Sequence, residues 1–465
     1  MESPRNSRKL RVVMFPWFAI SHGTQFLHLS NKLAQNGHRV TFLLPQKAQL
    51  KLEPLNQHQD LVRFSSITVP QVDGLPSGAE TASDVPVQLH RSLYTAFDQT
   101  RDQIQPLLID LKPDIVFFDF APWIPAITRP LNIKAIYYVA TGVAGLGLRL
   151  TPARRISKGV TIEELMHPPP GYPSLRVVPE EAFQALFLAE DLGSGMSFYD
   201  RITTSLRECD AIATRTYHEL EGKYGDYLGE QYGKPVLYSG PVIPQPQVEH
   251  LEEKWASWLN MFGPSSVVFC AFGSEIKLTK EKLQEILLGF ERSGHPFLVA
   301  LATPQGCDRI EEAFPHGFGE RTQERGLVSG DWVPQSLILK HPSVGCFVTH
   351  CGYASMWEAL FSDCRILTFP QIADQFMTSR LMVDELRVAV EVKKEGERES
   401  FLSKESLSEA IKLVMDKDGE VASRLKTNHA KLKDVIAGEG LQERYMRTFL
   451  QNLQSLLVTA KPSHT

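Results

Sequence analysis

The chain has 465 residues, 43% hydrophobic and 22% charged, with a formal net charge of −5. It is too long for one hydrophobic core, which rarely grows past about 250–300 residues, so two globular domains are expected. The charge balance offers no basic stripe for a nucleic-acid backbone, and no apolar run approaches the ~18 residues of a membrane-spanning helix.

The start, MESPRNSRKL, lacks the apolar stretch of a signal peptide. The first half then alternates apolar strands with amphipathic helices. Leu10 to Phe15 reads as a buried strand, and Thr24 to Asn36 as a helix with Phe26, Leu27, Leu29, Leu33 and Ala34 on one face, stopped at Gly37. Val40 to Leu44 and Val62 to Val69 read as the next strands. A long helical stretch near Val87 to Leu111 precedes strands at Ile115 to Phe118 and Ala135 to Val139. Residues from Arg149 to Asp191 are rich in proline and charge, which predicts a surface excursion. A strand at Pro235 to Tyr238 leads to the Pro/Gln/Glu-rich stretch Pro244 to Glu253, the best linker candidate. The second half repeats the alternation, with strands at Ser266 to Ala271, Phe297 to Leu301, Val344 to Val348, Arg365 to Phe369 and Val388 to Val392. Strands spaced by helices imply parallel sheets covered on both faces. Two doubly wound domains joined near residue 245 would leave a cleft between them. Ligands of such folds sit at the carboxyl ends of the strands. The six cysteines (Cys209, Cys270, Cys307, Cys346, Cys351, Cys364) form no C-x-x-C pair, and several lie in apolar runs. Free thiols and a cytoplasmic location are expected.

Two titratable residues lie at strand ends of the first half. His22 is placed in the loop after the first strand, just before the first helix, and Asp119 ends the strand Ile115 to Phe118. A carboxylate that orients an imidazole makes it a competent general base. Singly, each also suits an ordinary role: a histidine bonding near a helix start, an aspartate capping a helix. In the second half, Phe272-Gly273-Ser274 ends a strand, and a small residue followed by a hydroxyl suits the approach of a phosphate. The 44 residues from Trp332 to Gln375 are the most informative: WVPQSLILKHPSVGCFVTHCGYASMWEALFSDCRILTFPQIADQ. A strand, the turn His350-Cys351-Gly352 and a helix follow in order, aiming a helix N-terminus and its free N–H groups at an anion. Ser355 and Glu358 are three apart and share a helix face. The ordinary alternatives are core packing for Trp332, a solvated charge for Glu358 and a helix cap for Asp374.

That segment resembles the nucleotide-sugar signature of plant UDP-glycosyltransferases over its full length, departing from it at Tyr353 and Ala354. FPWFAISHGTQFLHLSNKLAQNGHRVTFL resembles their N-terminal motif, with Ser21 where the family often has glycine, and FFDFAPW resembles their aspartate strand. The resemblance runs from Leu10 to about Gln454. It implies an α/β fold of the GT-B type, two Rossmann-like doubly wound domains facing across a cleft. Residues 1–243 would bind the acceptor, 244–254 would link, 255–440 would bind the UDP-sugar, and 441–465 would return as a helix onto the first domain. It also implies roles: His22 as base and Asp119 as its partner; Trp332 stacked on uracil with Val333 beside it; Gln335 at the base or ribose; Glu358 accepting both ribose hydroxyls. Ser274, His350, Gly352, Tyr353, Ala354 and Ser355 would meet the pyrophosphate, Asp374 and Gln375 the sugar hydroxyls, and Thr141 would touch the donor sugar.

The partners implied are a UDP-sugar, as co-substrate rather than cofactor, and a small-molecule acceptor, handled by a monomer. No metal is expected: there is no H-E-x-x-H, no cysteine pair with zinc spacing, and Asp363 and Asp374 make no D-x-D. Gln375 points first to UDP-glucose, with UDP-xylose and UDP-rhamnose open. Gly352-Tyr353-Ala354-Ser355-Met356-Trp357-Glu358 with Ser362-Asp363-Cys364, and also Phe15-Pro16-Trp17-Phe18 and Asp119-Phe120 with Trp123, resemble the branch-forming subgroup. Those enzymes add a sugar to the sugar of a flavonoid or anthocyanin glycoside, and Tyr353 and Ala354 would trim the wall beside the donor sugar. A plain aglycone is the alternative acceptor. Two other classes make distinct demands. A nicotinamide oxidoreductase needs G-x-G-x-x-G, and none follows Phe15, Leu44 or Ala271. A non-catalytic nucleotide-sugar binding protein would keep Trp332 to Gln375 but need not keep His22 with Asp119.

Overall fold

Apolar runs of four to seven residues, too short for helices, set the frame of each half. The computed structural model describes residues 8–173, 177–193, 195–243, 250–273, 276–372, 374–393 and 402–458. By contact density the chain divides into one unit of Met1–Pro244 with Gly440–Thr465, and a second of Gln245–Glu439.

In the first unit the described strands are β1 (Arg11–Phe15), β2 (Arg39–Pro45), β3 (Val62–Ile67), β4 (Ile115–Phe118), β5 (Lys134–Val139), β6 (Ala211–Thr214) and β7 (Val236–Tyr238). They form one sheet in the order β3-β2-β1-β4-β5-β6-β7, every neighbouring pair parallel. Burial on both faces explains the continuous apolar sequence of β1 and β4. Phe15 of β1 lies opposite Phe118 of β4. From these two strands the chain winds outward in opposite directions. Their carboxyl ends therefore flank a topological switch point, where open α/β sheets bind ligands.

The second unit repeats the plan with β8 (Val267–Ala271), β9 (Phe297–Ala300), β10 (Gly326–Ser329), β11 (Val344–Thr349), β12 (Arg365–Thr368) and β13 (Ala389–Glu391). Their order is β10-β9-β8-β11-β12-β13, again all parallel. Its switch point lies between β8 and β11, where Ala271 is opposite Thr349.

Several sequence expectations need correction. The first helix is Ile20–Gln35, four residues ahead of the expected start. Ala19 occupies its N-cap without a side-chain bond, so no capping residue announces it. Gly23 inside its first turn marks close packing, since a Cβ there would lie 2.7 Å from Leu52 Cδ1. The stretch near Val87 to Leu111 is two helices, His90–Gln99 and Arg101–Leu111, parted at Thr100. The supposed surface excursion is partly core: Leu165, Ala182 and Leu188 are buried, and buried Arg149 pairs with buried Glu181 at 3.1 Å. Strands β6 and β10 were not anticipated. One is short and built of small residues, AIAT; the other is a half-buried edge, GLVS. Residues 244–249 of the expected linker lie outside the described residues, and the helix Glu253–Leu259 opens inside its far end.

The last described helix, Leu441–Val458, belongs to the first unit. Met446, Phe449 and Leu453 share one face and enter the core of the first sheet, each contributing about 1.5–3 kcal/mol by burial. Gln442 donates to the Ser239 carbonyl at 2.9 Å, and the Tyr445 hydroxyl accepts the His218 N–H at 2.9 Å. Among the described residues no helix is long and apolar enough to cross a membrane.

Candidate active site

His22 stands in the first turn of the helix Ile20–Gln35, not in the loop before it. Asp119 follows β4 directly and is 1% exposed. The two meet at the first switch point, His22 Nδ1 to Asp119 Oδ2 at 2.6 Å. The other carboxylate oxygen, Oδ1, accepts the backbone N–H of Trp17. Both oxygens are thus engaged, and the carboxylate cannot turn without losing a bond. Asp119 does not cap the following helix, Ile124–Thr128, whose N-cap is Trp123. The carboxylate contact is made through Nδ1, which makes Nε2 the candidate proton acceptor of this ring. Phe120 adopts a left-handed backbone, φ 50°, and its ring meets the His22 ring edge-on at 5.2 Å. A bulky residue held there costs of order 1–3 kcal/mol, and such strain clusters at functional sites. The part of the Trp17 N–H was invisible in the sequence, because any residue except proline offers a backbone donor.

At the second switch point lie most of the residues expected to form the anion site. β11 ends at Thr349; His350 is buried, Cys351 has φ 68°, and Gly352 is the N-cap of the helix Tyr353–Phe361. The first intrahelical bond is Met356 N–H to Gly352 O at 2.9 Å, so the earlier N–H groups find no acceptor within the helix. The glycines at this point have a steric cause. A Cβ on Gly352 would lie 2.5 Å from His350 Nε2, and one on Gly273 would lie 3.2 Å from the same atom. Two backbone segments thus flank one imidazole edge. Ser274, the hydroxyl expected beside it, lies outside the described residues.

Gln335 opens the helix Gln335–Leu339, and its amide nitrogen donates to Ser355 Oγ at 3.1 Å and to Glu358 Oε2. The structure therefore brings Gln335, Ser355 and Glu358 together, and Glu358 is not merely a solvated charge. Trp332 is 81% exposed, which rules out core packing, while the adjacent Val333 is buried. Tyr353 is buried with its ring at 6.4 Å from Trp357, and Ala354 is exposed. Tyr353 thus packs inward, and only Ala354 presents an open surface at this turn.

Asp374 holds the N-cap position of the helix Gln375–Arg380 but makes no side-chain cap bond. Gln375 is buried, and its Oε1 accepts the N–H groups of Gln371 at 2.9 Å and Ile372 at 3.1 Å. The loop consumes the acceptor half of this amide and leaves the NH2 as a donor. Thr141 follows β5 in the first unit, half-buried.

The chain is similar to known proteins over nearly its whole length. The family described as "UDP-glucoronosyl and UDP-glucosyl transferase" matches residues 231–432. UDP-glycosyltransferase 79B9 of Arabidopsis thaliana is 48% identical, over 96% of this chain and 97% of the relative. The Arabidopsis thaliana anthocyanidin 3-O-glucoside 2'''-O-xylosyltransferase is 47% identical, over 97% and 98%. The cyanidin 3-O-galactoside 2''-O-xylosyltransferase of Actinidia chinensis var. chinensis is 45% identical, over 96% and 98%. Among solved structures, Glycyrrhiza uralensis UGT73P12 complexed with glycyrrhetinic acid 3-O-monoglucuronide shares the fold, with TM-score 0.75, 23% identity and 97% of each chain covered. At this identity and coverage the chain belongs to the UDP-glycosyltransferases, enzymes of GT-B fold that use a UDP-sugar as co-substrate.

Proposed function

We propose that this enzyme transfers a sugar, with inversion, from a UDP-sugar to a sugar hydroxyl of a flavonoid or anthocyanin glycoside. The observation that carries the mechanism is the 2.6 Å contact of His22 with Asp119. His22 Nε2 takes the proton of the acceptor hydroxyl while Asp119 orients the ring and stabilises the imidazolium. The oxygen attacks the anomeric carbon opposite the UDP leaving group, which inverts that centre. Charge developing on the pyrophosphate is met by the helix terminus at Gly352 to Ser355 and by His350, with Ser274 as a further donor. Preorganised donors of this kind contribute roughly 3–4 kcal/mol each. Trp332 stacks on uracil with Val333 beside it, Glu358 accepts the ribose hydroxyls, Gln335 reaches the base or ribose, and Asp374, Gln375 and Thr141 contact the sugar. No cation is needed in this scheme, so activity withstands excess chelator. Free and mostly buried thiols suit a reducing cytosol, where the enzyme acts as a monomer.

The acceptor reading is supported by relatives whose names specify anthocyanidin 3-O-glucoside and cyanidin 3-O-galactoside. Both are xylosyltransferases, so UDP-xylose stands beside UDP-glucose as donor. The test measures UDP release with kaempferol and cyanidin against their 3-O-glucosides, each with UDP-glucose, UDP-xylose and UDP-rhamnose. Preference for the glucosides is expected; preference for the aglycones refutes the branching role and leaves the enzyme class intact.

A further inference from the structure

We propose that Arg201, clamped by Asp98, is a positioning residue that holds Asp119 against His22, an inference that rests on the dyad reading above. Arg201 lies in the helix Phe198–Glu208 and is fully buried, at 0% exposure. Its fork grips Asp98, Nη1 to Oδ1 at 2.8 Å and Nη2 to Oδ2 at 2.6 Å, and Asp98 also accepts the Trp123 Nε1–H at 3.2 Å. None of these groups is itself part of the dyad.

The pair reaches the dyad along two routes. On one side Arg201 Nη1 donates to the Phe120 carbonyl at 2.9 Å. Phe120 is the residue after Asp119, in the left-handed region, and its ring borders His22. Phe198, three residues before Arg201 and so on the same helix face, presses its ring on Phe120 at 5.4 Å. On the other side the guanidinium lies 5.3 Å from the centre of the Tyr94 ring. Tyr94 stacks on Trp17 at 4.1 Å and 11°, and the Trp17 N–H binds Asp119 Oδ1. The contacts close a circuit: Asp119, Phe120, Arg201, Tyr94, Trp17 and back to Asp119. One buried cation fixes both the backbone that carries the carboxylate and the donor that orients it. A planar, five-donor guanidinium suits this task; a lysine ammonium retains the charge but not the fork.

The experiment uses the full-length enzyme with Arg201→Lys and Asp98→Asn, each alone and combined with His22→Ala, and rates are normalised to the folded fraction from thermal melts. Arg201→Lys is expected to lower kcat roughly 10- to 100-fold, the scale of misplacing a catalytic group by about an ångström, with KM for the UDP-sugar little changed. In the His22→Ala background the same change should cost nothing further, because the brace acts through the dyad. An equal loss in both backgrounds assigns Arg201 a purely structural role and overturns the proposal, as does native kcat in folded Arg201→Lys. If Arg201→Lys does not fold, Asp98→Asn carries the same cycle with the same two outcomes. Near-native turnover of His22→Ala alone would instead refute the dyad reading, so the two failures are distinguishable.

Discussion

In the proposed donor-sugar contact, one half of the Gln375 amide is already engaged. Gln371 and Ile372 hold Gln375 Oε1, which leaves the NH2 for a ligand. Gln375→Glu keeps the loop acceptor and deletes that donor. The ratio of UDP-sugar to UDP affinity isolates the sugar contact, because any charge effect on the pyrophosphate is common to both ligands. A fall in that ratio of about tenfold is expected from a net hydrogen bond of about 1–1.5 kcal/mol. An unchanged ratio by calorimetry would remove Gln375 from the sugar site. At this scale His22, Asp119 and Glu358 were singled out in the sequence, each with an ordinary alternative that only the family resemblance outweighed. The contacts of the Trp17 N–H, the Gln375 carbonyl oxygen and Arg201 were not legible there, because each depends on partners distant in sequence or on the backbone alone.

Within elements, buried strands place thiols where they cannot ionise. Cys270 lies in β8, Cys346 in β11 and Cys351 just beyond it. Burial pushes the Cys209 and Cys364 thiols up to about 12 and raises those of Cys270, Cys346 and Cys351 well above the ordinary thiol range. A neutral, enclosed thiol is a poor nucleophile. Only Cys307 is partly exposed, so a chromogenic disulfide reagent at pH 8 should label one thiol in the native protein and the other five after denaturation. Fast labelling of two or more native thiols would contradict the packing of these strands. Strongly apolar strands such as β4 and β11 were read from sequence nearly to the residue. β6 escaped because alanine and threonine give no apolar run, and the early start of the helix at Ile20 escaped because Ala19 is no capping signal.

For the molecule as a whole, burial favours the neutral form of several histidines, His28 and His38 among them. Burial, then the Arg215 charge, pulls His28 down to about 3; burial, then Lys9, pulls His38 down to about 4. His38 Nδ1 accepts the Leu10 N–H at 3.0 Å, a bond that only the neutral ring can make. The unfolded chain binds these protons near pH 6.5, and the folded chain does not. Stability therefore falls as pH drops from about 6.5 toward about 4, and neither group contributes above that window. The urea midpoint should be lower at pH 5 than at pH 7, and a flat or rising midpoint would contradict this. Strand–helix alternation foretold two parallel sheets, and the observed strand orders place His22 with Asp119 at one switch point and His350 with Gly352 at the other. In the proposed function, chemistry and nucleotide binding fall to residues of different units and should separate by mutation. The most direct measurement pairs turnover with UDP calorimetry on His22→Ala. The account predicts a kcat lower by ~10²–10⁴ with UDP affinity within a few-fold of the parent, and a smaller loss for Asp119→Asn. Near-native turnover of His22→Ala, or loss of UDP binding together with turnover, would contradict it.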